Sequence, residues 1–489
     1  MPKAWGGCFW SPHTNYLRRP KYNHPLATLV PLLRRRGIKN IIMKKTFIIL
    51  SLSISFAYGQ QVTNKPDRVS WFQDLAFGMF IHWNVDVPLG VVISHSLAGA
   101  SDEYVERYIK EIPSFFNPKK FEPDEWATLA RLAGMKYVVF TTKHHSGFCM
   151  FNTKTTTFNV MNTPFKRDVT KEIIDAFRKQ GIAIGLYFSP EDFSFLHQQK
   201  LPLGRLQHPK HYPVNNPELM EYDKKQLKEL LNNYGKIDIL FLDGPGDGLR
   251  EFGWQQNPDL VITRDLMKTP EQEIPDRPQE RPWEACYTMG TDWQYKPTND
   301  PHKSGTEIID MLVEIRSKGG NFLMNVGPKP DGEIQIEQQD RLREVALWNF
   351  VNRDAIYQVK PLPVVRDQQT WFTQSNDGKT IFAIVTRKSP DDWKYGERKE
   401  LLLPMIEGNE KTKVSVLGYK SELVEYKNGF DASIRFSPTK LGLAISAVNG
   451  QRLYTNNRWP NAVVIKIENA QFKMPPAANT MQSAVDGAK

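Results

Sequence analysis

The sequence predicts an α/β protein with a (β/α)8-like, TIM-type barrel followed by a C-terminal β-sandwich. Three observations predict this fold. Between about residues 67 and 356, short continuous apolar runs alternate with segments of helical periodicity, as in a parallel sheet covered by helices. Gly stops several of these helices just before the next apolar run, which is the order of a β/α unit. Beyond residue 363, short strands alternate with turn residues, which is typical of a sandwich.

Polar side chains follow three of the predicted barrel strands. The strand at 77–81 leads into His82, and the strand at 137–142 leads into His144-His145. A later strand ends at Asp243. Because the carboxyl ends of parallel barrel strands share one rim, an acid and three histidines should converge there. The sequence therefore predicts an active site at this rim.

Helical segments with one apolar face separate the strands. Helices are predicted at 121–133, 168–180, 222–234, 307–318 and 341–351, and further strands at 182–188, 237–243 and 321–326. No Gly-x-Gly-x-x-Gly turn follows the first strand, which favours a barrel over a doubly wound sheet.

The C-terminal part carries predicted strands at 380–385, 413–417 and 462–467. We therefore expect a catalytic barrel at 60–358 and a sandwich at 364–472. The tail at 473–489 is rich in Ala, Pro and polar residues, a composition that predicts disorder.

The net charge of +10 comes from the N-terminus. The first 59 residues hold ten of the 64 Lys and Arg residues and no Asp or Glu, so 54 basic and 54 acidic residues remain. Because the body of the chain is formally neutral, its charge does not predict a nucleic-acid partner.

The segment at 43–59 has the pattern of a secretory signal peptide. Met43-Lys44-Lys45 precedes an apolar run at 46–56 and small residues that end at Gly59. The pattern predicts translation from Met43, processing near Gly59, and a secreted or periplasmic product. Residues 1–42 are then an upstream extension. No Cys follows the run, so no lipid or membrane anchor is expected.

Eight ordered motifs resemble the blocks of glycoside hydrolase family 29, the retaining α-L-fucosidases. They lie at 77–83, 143–148, 166–168, 185–189, 241–244, 269–272, 282–284 and 317–328, within about residues 67–360. The resemblance implies an irregular (β/α) barrel with a β-sandwich, an exo-acting α-L-fucosidase activity on fucosylated glycans, and no cofactor. It leaves the oligomeric state open.

The resemblance also implies roles for individual residues. Asp243 is similar to the nucleophile and Glu271 to the general acid/base, with Glu284 as its rival. The implied substrate-binding residues, with Trp83 added as an aromatic beside His82, are His82, Trp83, Glu103, Tyr104, His144, His145, Tyr187, Arg264 and Trp293.

Three positions depart from the family pattern. Asn84 and Gln294 stand where the family commonly has Gly, and Ser146 stands where it commonly has Asp. The implied nucleophile and histidines are all present. The departures therefore bear on the outer pocket and the leaving-group preference, and not on the chemistry.

The residue types suit retaining glycoside hydrolysis, which needs two carboxyl groups about 5–5.5 Å apart. Asp243 at a rigid strand end fits a nucleophile, although the strand alone fits a loop cap equally well. Glu271 lies in a later Pro-containing loop, whereas Glu284 has the setting of a buried strand carboxylate.

Other functions remain open on the residues alone. An α-L-galactosidase would use the same chemistry, and a non-catalytic fucose-binding protein would use the same scaffold. A metal-dependent hydrolase would use the histidine pair, but no His-Glu-x-x-His helix or Cys pair completes a zinc site, so no metal is expected.

Overall fold

A computed structural model describes residues 61–204, 208–420, 431–450 and 460–474. The predicted upstream extension, the signal peptide and residues 475–489 of the predicted tail lie outside these residues. Within them, no helix combines the length and the apolar character needed to cross a membrane.

Nine α-helices lie in the described residues. They are α1 (Pro66–Leu75), α2 (Asp102–Glu111), α3 (Pro123–Ala133), α4 (Val169–Lys179), α5 (Phe193–Gln198), α6 (Pro217–Asn233), α7 (Leu249–Gln256), α8 (Gly305–Ser317) and α9 (Ile336–Asn352).

Seven parallel strands form the curled sheet of the barrel, which confirms the predicted fold class. They are β1 (Phe77–Ile81), β2 (Tyr137–Lys143), β3 (Ala183–Phe188), β4 (Ile239–Leu242), β5 (Val261–Ile262), β6 (Glu284–Thr288) and β7 (Asn321–Val326). Their order across the sheet is β5-β4-β3-β2-β1-β7-β6.

The eighth strand position is irregular. At the β6 edge, residues 268–272 run parallel to β6 through two isolated bridges, Lys268 to Trp283 and Glu271 to Cys286. This segment, which we call the seam (residues 268–272), lies where a further barrel strand would stand. It has no continuous apolar run, so it forms bridges rather than a full strand.

The helices begin and end where their capping residues require. Asp168 accepts a hydrogen bond from the Lys171 backbone at the start of α4, and Gly134 ends α3 in the left-handed conformation at φ 91°. Helix α6 begins five residues before its predicted start, because Asn216 caps it and Pro217 occupies its first turn.

The barrel interior is filled by large aromatic side chains from β1, β2, β3 and β4. Phe80, Tyr187 and Phe241 pack against one another near the carboxyl end, and Tyr137 packs against Phe72 of α1 near the amino end. This packing leaves a solid core, so a substrate can reach polar side chains only at the rim.

The C-terminal part is antiparallel β-structure, as predicted. Its strands are β8 (Val359–Asp367), β9 (Thr370–Ser375), β10 (Thr380–Val385), β11 (Arg398–Leu403), β12 (Ile406–Glu407), β13 (Lys413–Val416), β14 (Arg435–Thr439), β15 (Gly442–Val448), β16 (Val463–Glu468) and β17 (Gln471–Phe472).

These strands form a five-stranded sheet in the order β13-β16-β10-β9-β8, a three-stranded sheet β11-β15-β14 and the pair β12-β17. Trp348 of α9 donates its indole N–H to the Ala462 carbonyl at 2.7 Å. Thr373 of β9 donates to the Ala355 carbonyl at 2.9 Å. The five-stranded sheet therefore packs against α8 and the end of α9.

Candidate active site

Asp243 lies at the centre of the rim, directly after β4. Its carboxylate accepts a hydrogen bond from the Tyr187 hydroxyl at 2.6 Å. His145 Nε2 lies 3.3 Å from Asp243 Oδ2, and Arg264 Nε lies 3.3 Å from Oδ1. The Asp243 side chain is only 12% exposed. Three polar side chains therefore hold one carboxylate in a fixed orientation at the mouth of the barrel.

Arg264 joins Asp243 to Glu271. Its guanidinium pairs with Asp243 through Nε and with Glu271 through Nη1. Burial alone would lower the pKa of Arg264, but the charges of Asp243 and Glu271 outweigh it and raise that pKa. The two carboxylates are thus neighbours across one permanent cation.

The seam carries Glu271 and is held by β6. The Gln272 N–H donates to the Cys286 carbonyl at 3.0 Å, and the Cys286 N–H donates to the Pro270 carbonyl at 3.1 Å. The Gln272 side chain donates to Thr288 Oγ1 at 3.0 Å. The Glu271 side chain is 42% exposed. Glu271 is therefore the more solvent-exposed of the two carboxylates, and Asp243 lies deeper in the pocket.

Glu284 occupies a different environment. It begins β6 at the amino end of the barrel, is fully buried, and accepts a hydrogen bond from the Tyr137 hydroxyl at 2.6 Å. Burial raises the pKa of Glu284 to about 7. Because Glu284 is fully buried at the start of β6 whereas Glu271 is partly exposed beside Arg264, the geometry favours a supporting position for Glu284.

Two of the predicted histidines are neutral because they are buried. Burial lowers the pKa of His82 to about 4, and burial together with the neighbouring His145 and His82 lowers the pKa of His144 well below its usual range. The His82 ring bonds Asn325 Oδ1 through Nδ1 at 2.7 Å. The His144 ring stacks on Tyr187 with centroids 5.1 Å apart. Neutral imidazoles of this kind can donate to or accept from a sugar hydroxyl.

Trp293 lies over the same pocket. Its ring centroid is 4.9 Å from that of His82 and 5.8 Å from that of Phe80. The Asn325 amide, which bonds His82, also donates to the Trp293 carbonyl at 2.6 Å. The indole is therefore fixed beside the histidines, where it provides the apolar surface that a pyranose face requires.

Trp83 is a correction to the prediction. Its side chain is fully buried and packs against Phe116, Phe121 and Trp126. Its indole N–H donates to the Lys329 carbonyl at 3.2 Å. Successive side chains of an extended segment point to opposite faces. His82 therefore faces the pocket, and Trp83 faces the core outside the barrel.

Glu103 and Tyr104 also differ from their predicted role. Both lie in the first turn of α2, which Ser101 caps, and the Glu103 side chain is exposed. Tyr104 packs against Tyr108 with centroids 6.4 Å apart. In the part of the chain that the structure describes, no contact joins either residue to Asp243 or to the pocket histidines.

The structure adds residues that the sequence reasoning missed. Ser189 and Glu191, just after β3, lie behind His145, with Ser189 Oγ 2.5 Å and Glu191 Oε2 3.7 Å from Nδ1. Ser189 donates to the Glu191 carbonyl, so its oxygen accepts from His145. The strand-end rule that found His145 would also have found these residues. His95, in a short 3₁₀ turn, is the other addition, and no periodic pattern marks it.

A cation site is the competing use of the same side chains. Ligand atoms of His144, His145 and Asp243 lie within 4.8 Å of one another. However, Arg264 already pairs its positive charge with Asp243 Oδ1, and the Tyr187 hydroxyl donates a hydrogen bond to Asp243 Oδ2. This arrangement suits a carboxylate that reacts with carbon better than one that holds a metal.

Two carboxylates joined by one arginine at the carboxyl end of a barrel, beside neutral histidines and an aromatic platform, define a glycoside hydrolase site. The family model described as Alpha-L-fucosidase matches residues 53–354. The chain therefore belongs to the α-L-fucosidase family, as the motifs predicted.

Individual proteins to which the chain is similar are also α-L-fucosidases. The chain is 27% identical over 461 residues to an α-L-fucosidase of Dictyostelium discoideum, covering 84% of this chain and 95% of that protein. It is similar in structure to α-L-fucosidase isoenzyme 1 of Paenibacillus thiaminolyticus, with TM-score 0.66, 28% identity, and coverage of 82% and 98%. A GH29 α-L-fucosidase of Bacteroides thetaiotaomicron, solved as a trapped covalent intermediate with 2-fluoro-fucosyl fluoride, has TM-score 0.64, 22% identity, and coverage of 84% and 97%.

Proposed function

We propose that this enzyme removes terminal α-L-fucosyl units from glycans with retention of configuration, with Asp243 as nucleophile and Glu271 as general acid/base. The observation that carries the proposal is the shared guanidinium of Arg264, which holds the two carboxylates as neighbours at the barrel rim. A retaining mechanism needs such a pair on opposite sides of one glycosidic bond.

In the first step, Asp243 attacks the anomeric carbon while Glu271 gives its proton to the departing glycosidic oxygen. A fucosyl ester forms on Asp243 as the C–O bond to the leaving group breaks. In the second step, Glu271 takes a proton from water, the water oxygen attacks the same carbon, and the Asp243 carboxylate is released. The buried position of Asp243 and the open position of Glu271 suit these two roles.

The surrounding residues bind the sugar. His82 and His144 are neutral, and they can exchange hydrogen bonds with hydroxyls without adding charge. Tyr187 and Arg264 keep the Asp243 carboxylate oriented until it attacks. Trp293 offers a flat apolar surface to the C–H face of the ring or its methyl group. An exo-acting enzyme needs a pocket of this kind for one terminal unit.

The trapped intermediate of the Bacteroides thetaiotaomicron enzyme is a property of that protein, and its 22% identity supports the fold alone. The proposal for this chain rests on its own carboxylate pair. An α-L-galactoside differs from an α-L-fucoside by one hydroxyl at C6, so activity on that substrate is the nearest alternative. A fucose-binding protein without turnover would leave Glu271 and Asp243 unused.

The test is an NMR-monitored reaction of the wild-type enzyme with an aryl α-L-fucoside, with the aryl α-L-galactoside as a matched comparison. We expect α-L-fucose as the first product and much slower release of galactose. A first product of β configuration would contradict retention, and no turnover of either substrate would contradict the activity.

For localisation, we propose export through the signal peptide at 43–59, with the mature chain beginning near Gln60. The support is the charged start, apolar run and small residues of that segment. N-terminal sequencing of exported enzyme should begin within a few residues of Gln60. An exported and active chain that still begins at Met1 would contradict this proposal.

A further inference from the structure

We propose that His95 is a substrate-binding residue that contributes to specificity, and that a buried polar network through Asn84, Asp86, Ser146 and Gln294 holds it at the pocket. The inference rests on the proposed fucosidase function. Its ligand would be one ring hydroxyl of the terminal sugar, on the edge that faces His144 and His145.

The position of His95 carries the first step. Its ring centroid lies 6.1 Å from that of His144 and 5.9 Å from that of His145. Those two rings belong to the proposed sugar pocket, and His145 contacts Asp243. His95 is only half-buried. An imidazole that is partly open and adjoins both pocket histidines has the chemistry to bind a hydroxyl that they share.

The backbone before His95 is held in an unusual conformation. Ser94 has φ 59°, in the left-handed region that residues with a side chain rarely adopt. The Ser94 N–H donates to Asp86 Oδ2 at 2.8 Å, and its hydroxyl accepts from the Asn84 amide at 3.3 Å. Buried side chains from the same loop thus stabilise the turn that aims His95 at the pocket.

The same network reaches the other two loops of the pocket. The Asn84 amide donates to Ser146 Oγ at 2.9 Å, and Ser146 directly follows His145. The Asn84 backbone N–H donates to Gln294 Oε1 at 3.0 Å, and the Gln294 amide donates to Asp86 Oδ1 at 3.1 Å. Asn84, Asp86, Ser146 and Gln294 are all buried. The turn carrying His95 is therefore fixed relative to the pocket histidines and to the loop of Trp293.

Three members of this network, Asn84, Ser146 and Gln294, are the positions that depart from the family pattern. They are far apart in sequence, yet each contacts another member. The acid predicted from that pattern, Glu103, lies on the exposed turn of α2. We infer that the departures belong together: they place the imidazole ring of His95 where this loop would otherwise supply a carboxylate.

The test follows the logic of a double-mutant cycle: the His95 side chain is removed from the enzyme, and one hydroxyl at a time is removed from the sugar. Wild type and His95→Ala are assayed on an aryl α-L-fucoside and on its 2-deoxy, 3-deoxy and 4-deoxy analogues. We expect kcat/KM on the full substrate to fall about 10- to 100-fold, because one hydrogen bond in the transition state is lost. The penalty for one deoxy analogue should shrink by about the same factor, while the other two penalties stay as in wild type.

The matched control is His197→Ala, which removes a partly exposed histidine of α5 whose ring lies 3.6 Å from Asp102. The kcat/KM on the full substrate and all three deoxy penalties should stay as in wild type. If His95→Ala fails to fold, His95→Asn keeps a polar group of smaller size and should show the same selective change. Unchanged kcat/KM, or an equal loss on all substrates, would overturn the inference.

The network is tested with Asn84→Gly, alone and combined with His95→Ala. Asn84→Gly alone should weaken the same hydroxyl contact, and it should add little when His95 is already absent. An undiminished effect in the His95→Ala background would show that the network does not act through His95. If wild type hydrolyses no aryl α-L-fucoside, the proposed function fails; if it does and no coupling appears, only this inference fails.

Discussion

The two ends of the barrel each hold a cluster of polar side chains, but only the cluster at the carboxyl end is accessible to a substrate. At the carboxyl end, Asp243 and Glu271 share Arg264, and Glu271 is open to solvent. At the amino end, Glu284 is sealed and bonded to Tyr137. Glu284 has the pKa near neutrality that an acid catalyst needs, yet it has no route to a substrate. A perturbed pKa therefore identifies an active carboxyl group only where the geometry also gives access.

The largest effect should come from Asp243→Gly. Removing a covalent nucleophile should lower kcat on an aryl α-L-fucoside by about 10⁴-fold or more, whereas the melting temperature should change little because Asp243 lies at the rim. Steady-state kinetics with calorimetry measure both. The control is Asp247→Ala, which removes an exposed acid paired with Arg250. Near-normal turnover by Asp243→Gly would show that Asp243 is not the nucleophile and that the carboxyl end does not carry the reaction.

The next effect concerns Glu271→Ala and depends on the leaving group. A sugar alkoxide needs protonation and an activated aryl oxide does not, so activity on a fucosylated oligosaccharide should fall about 10²- to 10³-fold more than activity on a dinitrophenyl fucoside. The neighbouring exposed Glu273→Ala is the control. If Glu284→Ala showed this leaving-group dependence and Glu271→Ala did not, Glu284 at the amino end would be the general acid/base instead of Glu271.

A smaller effect on stability is expected at the amino end. The folded-state pKa of Glu284, about 7, lies above its usual value of 4.5. The folded state therefore retains a proton that the unfolded state releases, and the stability contribution is full below about pH 4.5 and declines as pH rises toward 7. Glu284→Gln should remove this decline, so the variant gains stability relative to wild type between pH 5 and 7, on the order of 1–3 kcal/mol. Denaturant melts at both pH values measure it.

Tyr137→Phe provides the comparison for Glu284→Gln, because it removes the hydrogen bond and leaves the carboxyl group in place. It should lower stability at all pH values by about 1 kcal/mol, without changing the leaving-group dependence of kcat. A pH-independent difference between wild type and Glu284→Gln would contradict the assignment of a buried, protonated carboxyl group.

The smallest expected effect is that of metal removal. Because Arg264 already neutralises Asp243, prolonged treatment with a chelator should leave kcat unchanged. The same assay after dialysis and readdition of zinc provides the control. A loss of activity that zinc restores would mean that His144, His145 and Asp243 act as a metal site.

The regular part of the barrel could be predicted from the sequence because its strands are continuous apolar runs. The rim residues His82, His144, His145 and Asp243 followed from one rule, that parallel strands end at the same side. The rule does not give side-chain direction, so Trp83, one residue beyond His82, was wrongly placed in the pocket.

The irregular parts could not be predicted in this way. The seam has no apolar period, and only a motif pointed to Glu271. His95 lies in a 3₁₀ turn whose position depends on distant residues such as Gln294, and pairwise contacts of that kind leave no periodic pattern in the sequence. Glu103 was assigned by resemblance, but the Ser101 cap begins α2 just before it and turns its side chain to solvent.

The role of Asp243 is tested most directly by identifying the carboxylate that becomes covalently fucosylated. Wild-type enzyme incubated with 2-fluoro-fucosyl fluoride should gain the mass of one 2-fluoro-fucosyl group, and peptide mapping should place that group on Asp243. Asp243→Gly should gain no mass under the same conditions. A label on Glu271 or Glu284, or inactivation of the wild type without any covalent adduct, would contradict the assignment of Asp243 as the nucleophile.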